Sequence, residues 1–361
     1  MKMNYDDYML WLCSMKGMWY KKIEELLEYF HTPENIYRAG ERTLTKSPCI
    51  KPKDITEIME SRKRFDAEAE RRKLERQNIR FITDENKLYP EKFRNLPDRP
   101  RALFVKGEGI GLLREPSVAI IGARVCSQYG LYTAEKFARE LAAYGVNIIS
   151  GMARGIDSAA HRGALEGGGV TFAVLGSGVD ICYPPENKGL YEEIQENGAV
   201  LSEYPPGVKP VSWQFPQRNR LISGLSDCVI IAEAKEKSGS LITARHALDQ
   251  GIDVCAVPGR INDPLSQGCN RLIREGAAPV LDVSDILAEL GIHYKNLEKE
   301  KIFLEKKNEV VYSVLDFHLQ SVDDILKKTN LESGEIYNIL LQLQFAGLVA
   351  VPVKNYYVRK K

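Results

Sequence analysis

Between Ser117 and Leu290 the chain alternates short apolar runs with longer stretches in which apolar positions recur three and four apart. The runs are Ser117 to Ile121, Val146 to Ile149, Thr171 to Leu175, Ala199 to Ser202, Cys228 to Ala232 and Asp253 to Val257. Continuous apolar runs of this length predict strands covered on both faces. Helical spacing is clearest over Thr133 to Tyr144, Tyr191 to Glu196 and Leu241 to Gln250. The loops after the runs are rich in small and turn-forming residues: Gly122-Ala123-Arg124, Ser150-Gly151, Gly176-Ser177-Gly178, Glu203-Tyr204-Pro205-Pro206, Glu233 to Ser240, and Pro258-Gly259. This order predicts an α/β fold, an extended Rossmann-like doubly wound parallel sheet. Its loops then lie along the edge where such folds bind ligands.

The flanks predict smaller units. Residues 1–80 read as a helical domain, with Tyr5 to Leu12, Lys21 to Phe30 and Asn35 to Arg38 as helices and a charged, solvated helix over 54–78. Residues 81–291 hold the Rossmann-like unit with its lead-in, and 292–307 form a charged linker without apolar periodicity. Residues 308–361 give three helices and a hairpin, a winged-helix outline, in which Ser321 and Asp324 have the spacing of a capping box. The third of these helices exposes few cations, so protein contact or autoinhibition is as good a reading as groove binding.

The first strand-to-helix turn tests for a dinucleotide site. It reads Gly122-Ala123-Arg124-Val125-Cys126-Ser127-Gln128-Tyr129-Gly130, which lacks the three close-approach glycines, and the second strand ends in Ile149-Ser150-Gly151 without the acidic residue that holds ribose. NAD use is therefore not expected, and no cofactor is assigned.

The loops instead offer groups suited to phosphates. Arg124 follows Gly122, where a guanidinium either grips phosphate oxygens or pairs with a carboxylate. Ser238-Gly239-Ser240 precedes a helix, so Ser240 caps it or its free N–H groups face an anion. Arg218, Asn219 and Arg220 crowd one short segment, as an anion site or as solvated charges. Lys188 and Tyr191, three apart at a helix start, present a cation and a ring to one face, unless Tyr191 is partly core. Over the whole chain 50 basic residues offset 49 acidic ones. Residues 116–291 carry 15 basic against 20 acidic residues, which excludes a uniformly basic surface and favours a local basic pocket.

The motifs Ile120 to Arg124, Ser150-Gly151-Met152-Ala153-Arg154-Gly155-Ile156-Asp157, Phe215-Pro216-Gln217-Arg218-Asn219-Arg220-Leu221-Ile222, and Glu233 through Ser238-Gly239-Ser240-Leu241 to Pro258-Gly259 resemble the DNA-processing protein A (DprA, or Smf) family. The resemblance implies a binder of single-stranded DNA that protects incoming strands in natural transformation and helps load the RecA recombinase. It places the DNA pocket at Gly122, Arg124, Lys188, Tyr191, Arg218, Asn219, Arg220, Ser238, Gly239 and Ser240. It further implies a homodimer formed near Gly268 to Leu281 and an N-terminal helical domain of the sterile-alpha-motif or helix-hairpin-helix type. In that domain Met15-Lys16-Gly17-Met18 stands where a DNA-gripping hairpin shows paired glycines, so packing or partner contact is the expectation. Ala123 occupies a position where relatives often have Ser, which leaves only the backbone role there.

An alternative is a phosphoribohydrolase-type enzyme that cleaves nucleoside monophosphates, for which Asp157 and Glu233 are the acids at hand. Their structural readings are helix capping for Asp157 and anchoring of Arg218 or Arg220 for Glu233. His161 reads as a packing or surface residue. Seven cysteines without a CxxC pair or histidines at ligand spacing argue against a zinc site or disulfide framework and suit a reduced cytoplasm. Apolar runs fall far below membrane-spanning length and no leader pattern is expected.

Overall fold

The computed structural model describes residues 3–114, 116–293, 306–329 and 331–359. Most of the linker expected at 292–307 lies outside them. The N-terminal unit is built of α1 (Tyr5–Ser14), α2 (Tyr20–Phe30), α3 (Pro33–Arg38), α4 (Glu41–Lys46), α5 (Pro52–Arg64) and α6 (Ala67–Arg76). Asn4 and Asp7 form a capping box at the start of α1, and Thr32 caps α3, where Pro33 occupies the first turn. The single charged helix expected over 54–78 is two helices, broken at Phe65 and restarted by Asp66, whose carboxylate accepts from the N–H groups of Glu68 and Ala69.

The central unit runs β1 (Ile79–Thr83), α7 (Glu91–Arg94), β2 (Ala102–Lys106), β3 (Ser117–Ile121), α8 (Gln128–Ala143), β4 (Asn147–Ser150), α9 (Ile156–Glu166), β5 (Thr171–Val174), α10 (Lys188–Glu196), β6 (Gly198–Ser202), α11 (Gln214–Gly224), β7 (Cys228–Ile231), α12 (Ser240–Asp249), β8 (Asp253–Ala256), α13 (Gln267–Arg274), β9 (Ala278–Pro279) and α14 (Val283–Glu289). Its strands form one nine-stranded sheet in the order β1-β2-β6-β5-β4-β3-β7-β8-β9. The pairs from β6 to β9 are parallel, while β1 and β2 add an antiparallel margin. All six apolar runs are strands, and β3, β4, β5, β6 and β7 are buried along their whole length, as a sheet covered on both sides requires. Phe137, Ala138 and Leu141 of α8 and Ala159, Ala160 and Ala164 of α9 cover one face; Leu221 and Ile222 of α11 with Ala244 and Ala247 of α12 cover the other.

The N-terminal helices share a core with the sheet: Trp11, Leu12 and Leu26 pack in one cluster with Phe104 and Val200. Arg101 clasps Glu24 through both carboxylate oxygens at 2.5 and 2.9 Å and binds Asp84 at 3.1 Å, which ties α2 to the antiparallel margin.

Residues 306–359 form α15 (Lys306–Val314), β10 (Gln320–Ser321), α16 (Val322–Leu326), α17 (Ser333–Phe345), β11 (Val349–Val353) and β12 (Tyr356–Arg359), three helices against a three-stranded antiparallel sheet. The capping box read at Ser321 and Asp324 forms in both directions. Phe317 stacks on Tyr132 at 4.7 Å and meets Tyr129 edge-on at 5.9 Å, so this unit rests on the start of α8.

Candidate nucleic-acid interface

Strand β3 pairs with β4 on one side and β7 on the other, so the winding direction of the sheet reverses between β3 and β7. Crevices outside the carboxyl ends of strands at such a reversal are the general ligand site of doubly wound sheets. A cleft of about 620 Å³ lies there. The loop after β3 (Gly122 to Val125) and the loop after β7 (Lys235 to Ser240) form its lips, and Phe215, Arg218 and Asn219 of α11 line it between them.

The lips are fastened together. Ala123 donates its N–H to the Glu233 carbonyl at 2.8 Å, and the Glu233 carboxylate accepts from the Ser127 N–H at 2.9 Å and from the Ser127 hydroxyl. The Ser127 oxygen in turn accepts from the Gly130 N–H at 3.0 Å and caps α8. Gly122 is required for this approach, because a Cβ there would sit 2.8 Å from the Glu233 carbonyl oxygen. Burial pushes the Glu233 carboxyl above the usual range, against the two Ser127 donors that favour its charge.

Arg124 is exposed, its guanidinium lies 5.2 Å from the Phe215 ring, and it makes no ion pair among the described residues. Of the two readings of this residue, the carboxylate partner is not adopted, and its donors stay open to an anion. Lys235 and Lys237 add two exposed cations on the opposite lip. Arg218 is buried beneath them. It donates to the Gly151 carbonyl at 2.9 Å and to the Val174 carbonyl, and it faces Asp157. Asp157 accepts from the Gly151 and Ala153 N–H groups at 3.1 and 3.3 Å. Burial pushes the Asp157 carboxyl up and Arg218 down to about 10, so each group holds its charge through the other. Gly151 makes room for the pair, since a Cβ there would lie 2.6 Å from the Arg218 guanidinium.

Asn219 donates to the Gly239 carbonyl at 3.4 Å and joins α11 to the second lip. Ser240 was expected as the helix cap. It is instead the first residue of α12, and the Ser238 oxygen lies 3.4 Å from its N–H and 2.8 Å from its hydroxyl. The N–H groups of Leu241 and Ile242 are bonded to the carbonyls of Ser238 and Gly239, so the free amides expected at this helix start are largely occupied.

Three expected members stand apart. Arg220 is 1% exposed, pairs with Glu203 at 2.5 Å and Asp98 at 3.7 Å, and lies 3.9 Å over the Tyr20 ring, which makes it a clamp to the N-terminal unit. The reason is that 214–224 is a helix, in which residues two apart diverge by about 200°. Tyr191 is 6% exposed, packs with Leu190 and Ile194, and donates its hydroxyl to the Val179 carbonyl, so its ring is core and offers no stacking face. Lys188 begins α10 outside the cleft, exposed and 3.9 Å from Glu192. The available ring is Tyr183, stacked on Phe215 at 5.6 Å and 29°, in the same loop that leads to Lys188. Tyr183, Phe215, Lys235 and Lys237 all lie in segments read as loops or motifs, but nothing in their spacing singled them out.

The two acids weighed for hydrolysis are both engaged as braces, Asp157 under Arg218 and Glu233 under the first lip. No cluster of His, Cys, Asp or Glu among the described residues has metal-binding geometry.

The family model for the DNA recombination-mediator protein A matches residues 80–291, which carry both lips and α11. The chain belongs to this family. It is 41% identical over 286 residues to the DNA processing protein DprA of Streptococcus pneumoniae, covering 79% of this chain and 98% of that one. It is 38% identical over 297 residues to the protein Smf of Escherichia coli, covering 79% of each. The X-ray structure of DprA from Streptococcus pneumoniae superposes with a TM-score of 0.68 at 38% identity, over 82% of this chain and all of that one. A structure of DprA from Helicobacter pylori, described for its single-stranded DNA binding mode, gives a TM-score of 0.54 at 36% identity, over 59% and 98% of the two chains. The mixed, mainly parallel sheet of this chain is thus the family's fold.

Proposed function

We propose that this chain binds single-stranded DNA in the cleft between β3 and β7. Phosphates lie along Arg124, Lys235 and Lys237, and a base stacks on Tyr183, which itself rests on Phe215. The observation that carries the reading is the meeting of these exposed cations, none of them in an ion pair among the described residues, at the switch point of a unit whose overall charge is acidic. Such a site grips a backbone without reading sequence, and a ring that stacks on a base needs that base unpaired. Family membership and the single-strand binding described for the Helicobacter pylori relative support it. In the cell the chain acts in DNA processing, shielding strands taken up in transformation and passing them to the RecA recombinase from a cytoplasmic homodimer. No catalytic residue and no cofactor are assigned.

The test is equilibrium binding of labelled oligothymidine and of a duplex of equal length across a salt series. Single strands bind more tightly, with a log–log salt slope of about −2, as three phosphate contacts at about −0.7 each require. Equal affinity for both forms, or no binding at low salt, overturns the reading.

A further inference from the structure

A second cavity of about 660 Å³ lies between the N-terminal helices and the sheet margin. One of its walls is Pro205 to Val208. The same segment of chain continues directly into the cleft, whose lining takes up again at Pro210, Ser212 and Phe215. The stretch 205–216 therefore borders both spaces, and Lys209 and Trp213 sit on it as exposed residues, Trp213 at 41%. Trp213 packs on Trp19 at 5.8 Å, and Trp19 meets Tyr204 at 5.4 Å. Trp19 itself lines the second cavity, together with Lys16, Arg64 and Lys73. Lys73 is 3.6 Å from Glu70, while Lys16 and Arg64 are exposed and form no ion pair among the described residues.

We infer that this groove is a second stretch of the nucleic-acid path, occupied by a single strand too long for the cleft alone. The inference rests on the proposed single-strand binding and extends it to the N-terminal unit. The strand leaves the cleft past Phe215, crosses Trp213 with a base against the indole, and enters the groove with its phosphates toward Lys209, Lys16 and Arg64. Three features support this occupant. The groove and the cleft share one wall; an indole with 41% of its surface exposed stands at their junction; and Lys16, Arg64 and Lys73 outnumber Glu57 and Glu70 among the charged residues lining the groove, which suits a polyanion. Two aromatic surfaces in series with flanking cations are the elements of a sequence-tolerant single-strand track.

The experiment compares two probes on the full chain, an oligothymidine of about 6 nucleotides that the cleft accommodates and one of about 20 nucleotides that overruns it. Trp213→Ala, and separately the exposed double change Lys16→Glu with Arg64→Glu, each weaken the long probe by about tenfold, the effect of one stacked base or two phosphate contacts. Both leave the short probe within about twofold of wild type. Arg124→Ala weakens both probes alike. In the wild-type protein the long probe quenches tryptophan emission and the short one does not, since Trp11 is core and neither Trp19 nor Trp213 borders the cleft. If both variants treat the two probes equally, the extension is overturned while the cleft stands. If neither probe binds the wild-type protein, the cleft and its extension fall together.

Discussion

Arg124 and Arg220, one in the loop after β3 and one in α11, differ in setting, and the setting divides binding from folding. Arg124 stands free over Phe215, whereas Arg220 is enclosed by Glu203, Asp98 and Tyr20. Arg124→Ala lowers single-strand affinity about tenfold, the cost of one charge-assisted bond, and leaves the urea midpoint unchanged. Arg220→Ala strands a buried Glu203 and costs about 3 kcal/mol of stability, read by urea unfolding, while protein that remains folded binds with near wild-type affinity. His161 gives a pH-dependent counterpart. Its Nδ1 lies 2.6 Å from the Thr171 hydroxyl, which donates to the Ile148 carbonyl and so must accept from the ring, leaving a buried Nε2 with no partner. Burial pushes this histidine down to about 3. The unfolded chain, with an ordinary histidine near 6.5, then binds a proton that the folded one refuses. The resulting contribution is complete above that ordinary value and is lost as pH falls toward the folded one. Unfolding free energies from urea titrations at pH 7 and pH 5 differ by on the order of 1–2 kcal/mol from this residue, and His161→Gln removes the difference. At this scale the sequence was only partly legible. Arg124 is read either as a phosphate grip or as a carboxylate partner, and spacing alone does not choose between them; for Tyr191 the partly-core reading is the one adopted, because Leu190, Tyr191 and Ile194 form a buried stripe once α10 is laid against β5 and β6.

The elements were legible where period and punctuation agree. Six apolar runs bounded by small residues became six strands, five of them buried throughout, since a strand covered on both faces leaves no polar position to confuse the pattern. The stretch 214–224 escaped the reading because Pro216 and the four polar or charged residues after it mask a helix in which Arg218 and Arg220 are both buried, on different sides. Its helical phase is what aims Arg218 at the cleft floor and Arg220 at α2. The loop after β3 is likewise set by contacts remote in sequence, above all Ser127 with Glu233. Ser127→Ala removes the cap of α8 and one of the Glu233 donors together. The expected loss is about 2 kcal/mol by urea unfolding, with weaker single-strand binding because the Arg124 lip is freed.

Across the whole molecule, the sheet is continuous with the N-terminal helices through a shared core, and the C-terminal unit leans on α8 through Phe317. No helix among the described residues is long and apolar enough to cross a membrane. At the far margin β9 is a two-residue edge strand, and Leu281 beside it is 73% exposed, an apolar residue within the segment Gly268 to Leu281 where the family resemblance implies a homodimer contact, which we propose here. Light scattering on a size-exclusion column gives twice the chain mass for the native protein and the single mass for Leu281→Asp. A native monomer refutes the contact. The clasp that Glu233 makes between the two lips carries a further consequence for how a polymer gets in. Jaws riveted at their hinge do not swing wider for a thicker guest, so adjustment falls to the flexible nucleic acid, which must lay itself sideways into a slot of fixed gauge. A stiff double helix has no such freedom to give.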